Sequence, residues 1–136
     1  LDLMLDVNVR GVYLAIQAAV PHLQDGARVI TIGSNVAVRT GMAGTSVYQL
    51  TKTAVAGLVK GVALDLAARG ITVNNIQPGP TRTDMTAGAI DMLVERSPLR
   101  RVAEPGEIAG LVSSLARVEA RYVTGSSITI DGGLTL

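Results

Sequence analysis

Cysteine, tryptophan and phenylalanine are all missing from this chain of 136 residues, and histidine occurs once. The lack of cysteine excludes disulfide bonds and thiolate metal ligands, and it is compatible with a reducing compartment. The single histidine, His22, follows Pro21 at the end of a predicted helix and is expected at the surface. One histidine and scattered carboxylates cannot assemble a zinc site. We therefore expect a cytoplasmic protein that binds no metal.

An excess of charge of either sign is also missing, because 12 Lys and Arg residues nearly balance 11 Asp and Glu residues. The sequence contains no basic cluster of the kind that binds nucleic acid or an acidic membrane surface. No uninterrupted apolar run approaches the ~20 residues that a membrane-spanning helix needs. No cleavable leader is visible either. We therefore expect neither nucleic acid nor a membrane as a partner.

Aliphatic residues supply the apolar mass, since hydrophobic residues make up 48% of the chain and aromatic residues only 2%. This composition is typical of a parallel sheet that is covered by helices on both faces. Apolar periodicity, Pro21, Gly70 and Pro105 predict helices over residues 2–19, over 45–69 and from 105 onward. Short β-branched runs predict strands over residues 28–32, 71–76 and 127–130. The sequence thus predicts a single α/β domain over residues 1–136.

Tyr48 and Lys52 are four residues apart within a predicted helix, so their side chains should leave the same face of that helix. A free phenol titrates near pH ~10, so its use as a general base at neutral pH requires stabilisation of the phenolate. An ammonium about 4–6 Å away provides that stabilisation. The spacing alone also fits two solvated neighbours on a helix. The surrounding sequence favours the catalytic interpretation.

Ser34 follows the predicted strand 28–32, with Gly33 between them. Ligands of open α/β sheets bind outside the carboxyl ends of the strands, so this hydroxyl is well placed to hold a carbonyl or hydroxyl oxygen opposite the tyrosine. The alternative is a turn serine that bonds local backbone. Asn8 can simply bond to nearby backbone, as a mid-helix asparagine commonly does. The alternative for Asn8 is a functional role.

Five ordered motifs resemble those of the short-chain dehydrogenases/reductases, and in particular those of 3-oxoacyl-carrier-protein reductase-like members. They extend over essentially the whole chain and comprise Asp6-Val7-Asn8-Val9-Arg10-Gly11, Ile32-Gly33-Ser34, Tyr48-Gln49-Leu50-Thr51-Lys52, Asn74 through Thr83, and Val123-Thr124-Gly125-Ser126 with Asp131-Gly132-Gly133. The resemblance implies a partial Rossmann-like, doubly wound parallel sheet, namely its C-terminal half.

The resemblance also implies the roles of individual residues in hydride transfer between a nicotinamide cofactor and a carbonyl or secondary alcohol. Tyr48 is implied as the general acid/base, Lys52 as its electrostatic partner and a ligand of the nicotinamide ribose, and Ser34 as the group that holds the substrate oxygen. Asn8 is implied to open its helix locally and to hold a water of a proton relay. The loop after strand 71–76 is implied to face NAD or NADP through Pro78, Gly79, Thr81 and Thr83.

The glycine-rich strand–turn–helix that opens such proteins is not found in this sequence, so we expect a fragment or a truncated product. Two hypotheses remain open: the catalytic portion of an NAD(P)-dependent oxidoreductase, and a catalytically incompetent homologue that acts as an oligomerisation module. Relatives form dimers and tetramers through helices that match residues 2–19 and 45–69, so homo-oligomerisation is expected. Gly57 and Gly61, with Ala54 nearby, allow close packing onto either the sheet or a partner helix.

Overall fold

Three parallel strands form the sheet in the order β1 (Arg28–Ile32), β2 (Thr72–Pro78) and β3 (Ser127–Ile130). The computed structural model describes residues 1–136. The strands at both edges occupy the predicted residues. The central strand extends beyond the predicted residue 76, because Gln77 and Pro78 pair with β3. Since all three strands run in the same direction, their carboxyl ends meet at one edge of the sheet.

The first helical segment, α1 (Asp2–His22), extends beyond the predicted end at residue 19. It comprises the α-helical turn Asp2–Leu5, a π-helical turn Asp6–Arg10, the α-helix Gly11–Ala19 and a 3-10 turn Val20–His22. Pro21 was expected to end this helix. It lies within the closing 3-10 turn instead, because the fixed φ of proline suits helical backbone and the missing N–H is not needed there.

Three further helices follow, namely α2 (Ser46–Leu66), α3 (Ile90–Arg96) and α4 (Pro105–Ala116). The predicted helix 45–69 is confirmed, with its last three residues, Ala67–Arg69, wound as a 3-10 turn. Gly70 ends it in the left-handed conformation with φ of 64°, which glycine adopts without a steric penalty. Pro105 occupies the start of α4, where its missing N–H has no intrahelical acceptor.

The core lies between α2 and the central strand β2. Residues of α2 at intervals of three or four contact Ile71 and Val73, and they are Val55, Val59, Ala63 and Leu66. The same buried stripe continues toward the helix start at Thr51, which is fully buried. Tyr48 and Lys52 flank that end of the stripe, so core packing of α2 sets the face of the helix from which both side chains leave.

Large apolar side chains remain exposed on α1, where Leu3 is 76% exposed. By length and composition alone this helix could span a bilayer, with a mean hydropathy of 1.3. Uninterrupted apolar runs did not predict this, because Asp2, Asp6 and Arg10 interrupt the apolar residues of the helix. These charges do not lower its mean hydropathy below that of a candidate membrane span. Core helices of soluble proteins and signal sequences meet the same measure.

Candidate active site

Tyr48 and Lys52 lie one turn apart on α2, as predicted, with the Lys52 Nζ 5.6 Å from the centroid of the Tyr48 ring. At this distance a cation is attracted to the face of an aromatic ring. Neither the tyrosine hydroxyl nor the ammonium takes part in a hydrogen bond or an ion pair within the chain. Burial lowers the pKa of Lys52. The pair thus offers a free hydroxyl and a free, half-buried ammonium side by side.

Asn8 lies in the π-helical turn Asp6–Arg10, where the backbone is wider than in an α-helix. Such turns occur within α-helices and are frequent at functional sites. The local opening of the helix that the family resemblance implied is therefore present. Asn8 Nδ2 donates a hydrogen bond to Thr51 Oγ1 at 3.2 Å, and Thr51 Oγ1 donates to the backbone oxygen of Tyr48 at 2.8 Å. Thr51 thus connects Asn8 with the helix of Tyr48.

Ser34 directly follows β1 and Gly33, and begins a short 3-10 turn, Asn35–Ala37. Its Oγ accepts a hydrogen bond from the backbone N–H of Val36 at 3.2 Å. This is the local turn contact that was the alternative interpretation. Because the hydroxyl acts there as an acceptor, its own proton remains available for a ligand. The turn packs against α2, so the elements that carry Ser34 and Tyr48 are in contact.

A polar layer inside the sheet supports the strand end that leads to Ser34. Asn75, fully buried on β2, accepts from Thr31 Oγ1 at 2.8 Å and donates to Ser127 Oγ at 3.2 Å. These three residues are register partners across the three strands. A Cβ on Gly33 would lie 2.8 Å from Asn75 Oδ1, so the glycine leaves the space that the amide occupies. No pattern in the sequence predicted this layer.

The segment after β2 contains the four residues that the family resemblance implied for cofactor binding. A Cβ on Gly79 would lie 2.5 Å from the Cβ of Asp131, so the close approach at this glycine is made by the protein itself. Thr81 Oγ1 donates to the backbone oxygen of Gly79 at 3.0 Å. Thr83 is exposed, and its backbone N–H donates to Thr86 Oγ1 at 3.0 Å. Pro78 is the last residue of β2, so this loop leaves from the same edge of the sheet as Ser34.

Sequence reasoning did not single out three side chains that hydrogen-bond between the elements of this site, which are Thr51, Asn75 and Asp131. Thr51 lies between the two catalytic candidates, and Asp131 was seen only as part of a glycine turn. Each acts through a partner that is at least 43 residues away in the chain. Thr51 and Asn75 are fully buried, Asp131 is partly buried, and these placements and contacts are properties of the fold.

Parallel strands, a crossover helix that carries the Tyr48–Lys52 pair and a serine at the strand end together define a partial Rossmann-like α/β fold. A family model described as enoyl-(acyl carrier protein) reductase matches residues 1–135. The chain belongs to the short-chain dehydrogenase/reductase family, as its motifs suggested.

Curated relatives of known name match nearly the whole chain. It is 38% identical over 135 residues to the cyclic-di-GMP-binding biofilm dispersal mediator protein of Escherichia coli K12, covering 97% of the chain and 57% of that protein. It is 41% identical over 133 residues to a Mycobacterium bovis 3-alpha-(or 20-beta)-hydroxysteroid dehydrogenase, covering 96% of the chain and 50% of the relative. It is 39% identical over 139 residues to a Staphylococcus aureus 3-oxoacyl-[acyl-carrier-protein] reductase, covering 98% and 56%. The chain thus spans about half the length of these relatives.

Solved structures agree with this assignment. A short-chain dehydrogenase/reductase from Serratia marcescens BCRC 10948 superposes with a TM-score of 0.95 at 46% identity, covering 100% of this chain and 58% of that one. A short-chain dehydrogenase from Burkholderia cenocepacia J2315 in complex with NADP gives a TM-score of 0.93 at 41% identity, with coverages of 97% and 55%. The fold is therefore that of the matching part of these proteins.

Proposed function

We propose that this chain is the catalytic portion of an NAD(P)-dependent oxidoreductase that interconverts a carbonyl compound and a secondary alcohol. One observation carries the proposal, namely the unpaired hydroxyl of Tyr48 beside the unpaired, half-buried ammonium of Lys52. A half-buried cation without a carboxylate partner is costly unless a ligand compensates for it. This arrangement suits a substrate oxygen and the hydroxyls of a ribose.

The chain's own residues fit a nicotinamide dinucleotide on the side that they form. Lys52 has three donors free for ribose hydroxyls, and Thr83 has an exposed hydroxyl on the loop that also carries Pro78, Gly79 and Thr81. When bound, the cofactor would supply or accept the hydride. The Burkholderia relative is described in complex with NADP, and both NAD and NADP are compatible with the residues present here.

In reduction, the Tyr48 hydroxyl gives its proton to the oxygen of the carbonyl substrate, and in oxidation it takes that proton back. Lys52 stabilises the resulting phenolate by its positive charge. Ser34 donates its free proton to the substrate oxygen and so fixes the direction of approach. Asn8 holds the water through which Lys52 exchanges protons with solvent, and the π-helical turn around it is the local opening of the helix that this role calls for.

A second candidate function is a non-catalytic oligomerisation module. The observation that favours it is an open groove between α1 and α2, lined mainly by apolar and small residues that include Leu5, Val9, Tyr13, Ala54, Gly57 and Leu58. A Cβ added to Gly57 or Gly61 would have no atom within 4 Å, so these glycines do not pack onto the sheet. A second copy of the chain is the expected partner for this face in either function.

The test uses a hybrid enzyme, in which this chain follows the amino-terminal half of the Serratia marcescens relative. Turnover is measured with NADPH and NADH on a 3-oxoacyl thioester and, in the oxidative direction, with NADP and NAD on a 3α-hydroxysteroid. Tyr48→Phe should lower kcat by about 10²- to 10⁴-fold, because only the proton donor is removed. Tyr122→Phe, at a side chain that is 99% exposed, is the matched control and should leave kcat unchanged. A Tyr48→Phe variant that retains kcat would contradict the catalytic proposal, and a stable dimer of the chain that never turns over would support the second candidate.

A further inference from the structure

Asp131, the first residue after β3, accepts four hydrogen bonds. They come from Thr135 Oγ1 at 2.8 Å, the Gly133 N–H at 3.0 Å, the Thr135 N–H at 3.1 Å and Asn35 Nδ2 at 3.3 Å. Partial burial raises the pKa of this carboxyl group, but the hydrogen bonds from Thr135, Asn35 and Gly133 outweigh that effect and hold the pKa below its ordinary value. The group is therefore an ionised acceptor near neutral pH.

The contact with Asn35 connects Asp131 to the segment of Ser34. Asn35 is the residue after Ser34 and the first residue of the 3-10 turn that the Ser34 hydroxyl caps. A second contact joins the same two segments, since Arg39 Nη1 donates to the backbone oxygen of Leu136 at 3.3 Å. The segment 131–136 thus contacts the turn at its first residue, Asn35, and the chain just beyond the turn at Arg39.

Asp131 also contacts the loop proposed to face the nicotinamide. A Cβ on Gly79 would lie 2.8 Å from the Cα of Asp131 and 3.3 Å from Asn35 Nδ2. The Gly79 N–H donates to the oxygen of Ile130, directly before Asp131, at 2.9 Å. The turn that follows Ser34 (Asn35–Ala37), the loop that begins at Gly79 and the end of β3 therefore meet at one residue, Asp131.

We propose that Asp131 is a positioning residue that fixes the placement of the Ser34 hydroxyl relative to the Gly79 loop. This inference rests on the proposed function. The carboxylate acts through Asn35 and is not required to contact substrate or cofactor. Displacement of a reacting group by about 1 Å can cost about 100-fold in rate, so loss of this contact should be visible in turnover.

The test is a double-mutant cycle in the hybrid enzyme. Asp131→Asn keeps the shape of the side chain but removes the charge and half of its acceptor capacity, and it should lower kcat about 10- to 100-fold while the KM for the dinucleotide changes little. In a Ser34→Ala background the same substitution should cost less than about threefold, because no hydroxyl remains to be placed. Asp65→Asn, an exposed carboxylate on α2 without a hydrogen bond, is the matched control.

A second variant and a second measurement cover the case in which Asp131→Asn fails to fold. Asn35→Ala breaks the same contact from the side of the turn, leaves the other three hydrogen bonds of Asp131 in place, and should reproduce the loss of kcat. The amide resonance of Val36, whose N–H is bonded to Ser34 Oγ, should shift in Asp131→Asn, which is distant in sequence, and stay unchanged in Asp65→Asn.

An equal loss of kcat with and without the Ser34 hydroxyl would overturn the positioning role, as would an unshifted Val36 resonance. These results are separable from failure of the proposed function. If Tyr48→Phe abolishes turnover while Asp131→Asn and Asn35→Ala do not lower it, only the positioning role of Asp131 is lost. If Tyr48→Phe keeps full turnover, the catalytic proposal itself fails, whereas the Val36 resonance still reports whether Asp131 holds the turn.

Discussion

The side-chain amide of Asn8 donates to the hydroxyl of Thr51 at 3.2 Å, and this contact joins the π-helical turn of α1 to the helix that carries Tyr48. Thr51 is fully buried and donates its own proton to the backbone oxygen of Tyr48. Asn8 and Tyr48, two residues of the proposed proton path, are thus connected by Thr51. Its hydroxyl accepts a hydrogen bond from Asn8 and donates one to the backbone of Tyr48. The other donor of the Asn8 amide and its side-chain oxygen remain available for a water.

Thr51→Val should therefore destabilise the protein. The substitution keeps the volume of the side chain but leaves the Asn8 amide without its acceptor. We expect a loss of about 1–2 kcal/mol in the free energy of unfolding, measured by denaturant titration of the hybrid enzyme. Thr53→Val, two residues away on the exposed side of α2, should change stability by less than about 0.5 kcal/mol. Equal effects of the two substitutions would show that the contact with Asn8 contributes nothing.

Gly33→Ala should destabilise the strand end before Ser34. The new methyl group would lie 2.8 Å from Asn75 Oδ1 and 3.0 Å from Asn75 Nδ2, so the amide would have to leave its partners on β1 and β3. We expect a cost of about 1–3 kcal/mol in the free energy of unfolding.

The double variant Gly33→Ala with Asn75→Ala identifies the cause of that cost. Removal of the amide makes room for the methyl group, so the two losses should not add, with a coupling of about 0.5–3 kcal/mol. Asn75→Ala alone leaves the Thr31 hydroxyl without its acceptor and should cost about 1–3 kcal/mol. Strictly additive losses would rule out the clash with Asn75 as the reason for glycine at this position.

Gly57→Ala should weaken self-association through the groove between α1 and α2. A methyl group there would meet a partner helix at close packing distance, and overpacking of this kind costs about 1–3 kcal/mol. Sedimentation velocity over a range of concentrations should show a shift of the hybrid enzyme toward smaller species.

The matched control is Gly110→Ala on the exposed side of α4, where a Cβ also has no neighbour within 4 Å. Both substitutions gain about 0.5–1 kcal/mol of helix stability because alanine loses less backbone entropy than glycine. Only the change at Gly57 should alter the oligomeric state. An unchanged sedimentation profile would place the contact between copies on a different surface.

Lys52 should make stability depend on pH. Burial lowers the pKa of Lys52 below its ordinary value of 10.5, so the unfolded chain binds more protons than the folded chain between the lowered pKa and 10.5. The free energy of unfolding should therefore rise with pH through that window. Below it the cost of the half-buried charge is fully present, and above 10.5 that cost is absent.

Lys52→Met removes the charge while keeping most of the side-chain length. The variant should be more stable than the parent at pH 7, and the difference in their unfolding free energies should shrink as the pH approaches 10.5. Lys60→Met, at an exposed position of the same helix, should show no such convergence. A difference that stays constant with pH would mean that burial of the charge does not set the stability effect.

Where local rules dominate, the sequence predicted the structure closely. The β-branched run at Arg28–Ile32 forms the predicted strand, because such residues favour the pleated, buried conformation. Gly70 ends its helix in the left-handed region, which other residues rarely enter. The common face of Tyr48 and Lys52 follows from helical periodicity alone. Each of these properties depends on residues within a few positions of one another.

Tertiary structure decided what these local elements contact. The close neighbour of Gly79 is Asp131, and the hydrogen bond from Asn35 to Asp131 spans 96 positions of the chain. Gly57 faces away from the sheet. Helical periodicity alone did not show whether this small residue packs onto the sheet or onto a partner helix. The sequence by itself determined that Asn8, Ser34, Tyr48 and Lys52 are candidate groups and which helix or strand end carries each. The tertiary structure decided which of them touch, because burial and long-range hydrogen bonds exist only once distant segments pack together.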